Sequence, residues 1–137
     1  VSGTFHGECL SLAACIATIK EMQSKRVIDH IWYKGRYIIT KLREYGFEVG
    51  GYPCRVAILN KYSDKGKALL LQELFADGIM IHSNLVLNIC YSHSKKDCDK
   101  LIDSLVRSSH LVCEAEMNDN IDNLLKGSII QPAFRRI

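Results

Sequence analysis

Gly3-Thr4 stands a few residues ahead of Cys9-Leu10-Ser11-Leu12-Ala13-Ala14-Cys15-Ile16-Ala17-Thr18-Ile19, a run of small and apolar residues. A glycine–threonine pair feeding a helix start brings together backbone N–H groups, a hydroxyl and the positive end of the helix dipole. That combination suits an anion such as a phosphate. The same threonine can equally serve as an N-cap. Farther along, His110, Cys113 and Glu114 are spaced to share one helical face, which is metal-ligand chemistry, but no second pair of ligands accompanies them. Ser83 and His93 form no nucleophile–base pair, because nothing marks a nucleophile elbow. His93 is read as a strand-end imidazole bonded to neighbouring backbone, and His82-Ser83-Asn84 as a turn held by its own side chains. A nucleophilic lysine needs a desolvated or cation-flanked setting to lower its pKa. The lysines between Lys20 and Lys126 fall on polar helix faces or in loops.

The 137 residues suffice for one domain with a core of its own. With 47% hydrophobic and 24% charged residues, wholesale disorder is excluded. Eighteen basic against fifteen acidic residues give a net charge of +3, too small and dispersed to argue for nucleic acid. No apolar run reaches membrane-spanning length, and Val1 to Lys20 has no signal-peptide pattern, so a cytoplasmic setting is expected. The six cysteines make no CxxC. They are expected to be buried free thiols that pack as small hydrophobes.

Two helices open the chain. The first, about Glu8 to Ser24, is apolar nearly all round and is expected to be buried on most sides. The second, about Val27 to Tyr45, carries Val27, Ile28, Ile31, Trp32, Ile38, Ile39 and Leu42 as one stripe and stops at Gly46. Trp32 is expected in the core and Lys34 on the wet face. Two short strands follow around the bend at Gly50-Gly51 and Pro53. A third helix begins near Ser63 and ends at Gly78. Ile79-Met80-Ile81 reads as a short buried strand, and Leu85 to Tyr91 alternates as another. Ser94 with Asp97 is a capping-box start for a fourth helix. Residues 117–137 form a weakly patterned tail in which Ile121 to Leu125 is one more short helix. The expected fold is α+β, an α/β sandwich: a small, mostly antiparallel sheet of three to four strands with helices on one face, in the order α-α-β-β-α-β-β-α.

Four collinear stretches carry a resemblance to a known family: Gly3-Thr4-Phe5-His6-Gly7 leading into Leu12-Ala13-Ala14; Val27-Ile28-Asp29-His30-Ile31-Trp32; Gly51-Tyr52-Pro53; and Gly78-Ile79 followed by Tyr91-Ser92-His93-Ser94-Lys95-Lys96-Asp97. Together they resemble the C-terminal small domain of class III pyridoxal-phosphate (PLP) aminotransferases, closest to the glutamate-1-semialdehyde aminomutase branch. The resemblance implies a fold-type I enzyme whose large domain supplies a Schiff-base lysine upstream of the Gly-Thr segment. It implies that residues 1–8 form the cofactor-phosphate segment, with Gly3 and Thr4 contacting the phosphate across a homodimer interface. His6 departs from the small or amide residue usual there. The implied partners are the large PLP-binding domain of the same polypeptide and a homodimer partner, with no nucleic acid and no membrane. On this reading the 137 residues are a fragment, inactive alone and not expected to bind the cofactor covalently. The rival reading is a stand-alone small-molecule-binding or regulatory α+β domain without catalysis.

Overall fold

The computed structural model describes residues 7–127 and 129. Helix α1 spans Cys9–Ser24 and α2 spans Val27–Glu44, followed by strands β1 (Val49–Tyr52) and β2 (Arg55–Ile58). Helix α3 (Asp64–Ala76), strand β3 (Val86–Asn88), α4 (Lys95–Met117) and the single turn α5 (Ile121–Leu124) are the remaining described elements. The architecture is α+β, with an antiparallel sheet ordered β1-β2-β3.

Local chemistry sets most of these boundaries. Gly46 adopts φ +81° just past α2. There its N–H donates to Arg43 O and the Phe47 N–H to Leu42 O, the paired bonds of a glycine-terminated helix end. Gly78 closes α3 the same way, bonding Phe75 O while Ile79 N–H bonds Leu74 O. Ser63 starts α3 by accepting the Gly66 N–H at 2.9 Å. Ser94 and Asp97 form a reciprocal capping box, with Ser94 N–H donating to the Asp97 carboxylate at 2.7 Å.

The sheet is two-sided. Val49 faces Ile58 and Val56 faces Leu87 across the ladders, and these four side chains are buried against the helices. Tyr52, Arg55 and Asn88 belong to the opposite, exposed face. Ile38 and Leu42 of α2, Leu69, Leu70 and Leu74 of α3, and Leu105 and Val112 of α4 fill the core beneath the sheet. Gly35 lets α2 ride directly on the hairpin bend: a Cβ there would lie 1.6 Å from the Pro53 carbonyl oxygen. No larger residue fits without separating the two backbones.

Several local expectations are corrected. Ile79–Ile81 is not a strand. Its residues follow the α3 cap as extended chain, with Ile79 and Ile81 half-buried and Met80 89% exposed. Trp32 is half-buried at the rim, its ring 6.3 Å from that of Tyr52. Of the six cysteines, all free, Cys98 is buried and Cys54 half-buried, while Cys9, Cys15, Cys90 and Cys113 are exposed. Cys9 and Cys15 lie on the uncovered α1, Cys90 in the loop after β3, and Cys113 on the outer face of α4 beside the buried Val112.

Candidate functional site

The region with the clearest unmet chemistry is α1 and the residues before it. Every residue of α1 is exposed; among the described elements it touches only α2. Leu12, Ile16 and Ile19 form one stripe at i, i+4 and i+7, exposed by 54, 54 and 49%. Leu10 on another side of the same helix is 77% exposed. The burial expected from composition is therefore not supplied by the described residues. A helix that is apolar all round needs covering on more than one side.

The anion site expected at the start of α1 is altered by Glu8. This residue is the N-cap, and its carboxylate accepts the Leu10 N–H at 2.9 Å and the Ser11 N–H at 2.7 Å. Hydrogen bonds from Ser11, then from Leu10, hold the Glu8 carboxyl below its usual range. The free N–H groups of the helix end are thus occupied by the chain's own negative charge. Gly3 and Thr4 lie outside the described residues. Sequence reasoning missed Glu8 because glutamate is an uncommon N-cap and Thr4 drew the signal.

Lys25, Lys41 and Lys95 are all raised above the ordinary lysine pKa, chiefly by hydrogen bonds to Glu21, Glu44 and Asp99 respectively. Imine chemistry requires the opposite shift. Lys34, expected in water, is half-buried and donates to Tyr91 O at 2.9 Å and to His93 O. It ties α2 to the loop before α4, while the His30 ring lies 4.8 Å from Tyr91. Its partners stand 57 and 59 residues away, a distance no local pattern reveals.

A second feature is a cleft of about 360 Å³ between residues 78–82, β3 and the first turns of α4. His82, His93 and Lys100 line it together with Ile38, Ile79 and Ile81. The two histidines behave as the turn chemistry predicts: His82 Nδ1 accepts the Asn84 N–H and His93 Nδ1 the Cys90 N–H, each at 3.3 Å. Sequence reasoning treated them separately, and the fold brings both to one opening. His110, Cys113 and Glu114 are all exposed on α4. Among the described residues no group of three or more His, Cys, Asp or Glu side chains is placed to hold a metal ion. No described helix is long and apolar enough to cross a membrane.

No protein-family profile and no curated protein matches the chain. Solved structures do match its fold. The FumI protein of Sphingopyxis sp. MTA144, in a PLP-bound form, superposes with a TM-score of 0.70 over 91% of this chain and 32% of its own, at 16% identity. A transaminase with PLP bound gives 0.68 over 83% and 30%, at 18% identity. An omega-transaminase from Sphaerobacter thermophilus gives 0.53 over 62% and 24%, at 16% identity. The chain spans about a third or less of each of these structures. At such identities the shared property is the fold.

Proposed function

We propose that these residues are the C-terminal small-domain portion of a PLP-dependent aminotransferase of class III, of the branch that includes glutamate-1-semialdehyde aminomutase. The observation that carries this reading is the fold match over 91% of the chain to about a third of a PLP-bound enzyme. The uncovered α1 supports it, because a helix apolar on all sides fits an element that packs on a large domain and a dimer partner. The parent is a homodimer working in the cytoplasm, and it moves an amino group on an amino acid or semialdehyde.

Lys25, Lys41 and Lys95 are raised, the opposite of what imine formation needs at those three positions, and the N-terminus of α1 is capped by Glu8. In this reading the Schiff-base lysine lies outside residues 1–137, and these residues alone are inactive. Their own contribution is positional. Glu8 fixes where α1 begins, and the segment ahead of it carries Gly3 and Thr4 toward the phosphate. The test is titration of the whole apo-protein with PLP after Thr4→Val. Losing one hydrogen bond to a charged group, about 1.5–3 kcal/mol, should weaken binding roughly ten- to a hundredfold. The melt without cofactor should stay unchanged. Unaltered affinity would remove Thr4 from the site.

A further inference from the structure

The cleft beside β3 has a backbone wall as well as side chains. Ile58 N–H donates to Leu85 O at 3.1 Å and Ile89 N–H to Cys54 O at 3.0 Å. These bonds bracket the Ala57–Val86 and Arg55–Asn88 pairs. In an antiparallel ladder that spacing makes Val86 and Asn88 the positions not bonded to β2, so their N–H and C=O groups point outward from the sheet edge. Both residues line the cleft. Residues 78–82 run along its far side without joining the sheet.

The side chains add a polar end and an apolar floor. With Nδ1 of His82 and His93 each accepting a backbone N–H, the ring proton of the neutral imidazole sits on Nε2, leaving each ring one donor. Lys100 lines the same cleft and has no ion-pair partner among the described residues. Asp97 is also there, but its carboxylate accepts the Ser94 N–H at 2.7 Å and the Ser94 hydroxyl at 2.8 Å. Ile38, Ile79 and Ile81 supply the apolar surface.

We propose that this cleft binds a short extended peptide ending in a free α-carboxylate. Outward N–H and C=O groups at alternate residues of an edge strand match an extended backbone and little else. The Lys100 ammonium and the imidazole N–H donors match a terminal carboxylate, and the isoleucines match an apolar side chain. Strand β3 has three residues, about 10 Å of edge, which fits a peptide of two or three residues. The proposal rests on the cleft alone and stands apart from the cofactor reading.

The probe is acetyl-Gly-Val-Leu with a free carboxylate, titrated into the ¹⁵N-labelled chain. Amide shifts should move at Val86 and Asn88. The C-terminal amide of the same peptide, and a form N-methylated at its valine, should each bind about tenfold more weakly or worse. Lys100→Gln, a change at an exposed position, should weaken the carboxylate peptide alike while leaving shifts remote from the cleft in place. No movement at Val86 and Asn88 at millimolar peptide would overturn the proposal. So would equal affinity for the carboxylate and amide forms, or for the N-methylated and unmodified forms.

Discussion

Replacing Leu12, Ile16 and Ile19 together by serine separates what α1 does for this chain from what it does for a larger protein. None of the three is buried here, each keeping about half of its surface in water. Full burial of such a side chain stabilises by about 1.5–3 kcal/mol. The half still exposed therefore holds about 1 kcal/mol each, or about 3 kcal/mol together, for a surface that covers the stripe. For the 137-residue chain, urea unfolding should shift by at most about 3 kcal/mol, the share of the half of each side chain that is already covered here. In the whole protein, the triple variant should weaken docking of this domain on the order of a hundredfold. The readout is loss of hydrogen-exchange protection along α1, which the unmodified whole protein should show and the isolated chain should not. A loss in the isolated chain well above about 3 kcal/mol would mean that α1 is part of its core. An unchanged whole protein would mean that nothing covers the stripe. Either result refutes the docking role.

Two further outcomes follow from individual side chains. Ser108 is 1% exposed on α4, and its hydroxyl has no hydrogen-bond partner among the described residues. Ser108→Ala should raise stability by about 1 kcal/mol in chemical denaturation, and a loss of stability would show that the hydroxyl is satisfied after all. Because the Glu8 carboxyl is lowered from 4.5 in the folded chain, its contribution is complete above 4.5 and is lost as pH falls through the folded value. Exchange protection at the Leu10 and Ser11 amides should fall over that window and lose its pH dependence in Glu8→Ala. Protection that stays flat in the unmodified chain would remove Glu8 as the cap.

The parts of the fold legible in the sequence are those governed by short-range chemistry. Ser63, the Ser94–Asp97 box, Gly46 and Gly78 mark helix ends through bonds that close within a turn, and α2 and α4 announce their buried faces by period. Ile79–Ile81 was not legible, because three apolar residues specify extended chain but not a partner, and the edge of β3 stays unpaired beside them. The apolar surface of α1 was legible, and its exposure is what these residues standing alone were expected to show; composition reports that a surface needs covering, not which residues cover it. Lys34 and the convergence of His82, His93 and Lys100 depend on which loops the topology brings together. The Gly3-Thr4 expectation lies outside the described residues, and its neighbour Glu8 emerged from the geometry of the helix start.

The most direct measurement of the central claim is borohydride reduction of the whole protein saturated with PLP, followed by peptide mass mapping. A single stoichiometric lysine adduct at a position outside residues 1–137 is predicted, with the 137-residue chain alone giving only scattered surface labelling. A stoichiometric adduct on one lysine within these residues, or no specific adduct in the whole protein, would contradict it.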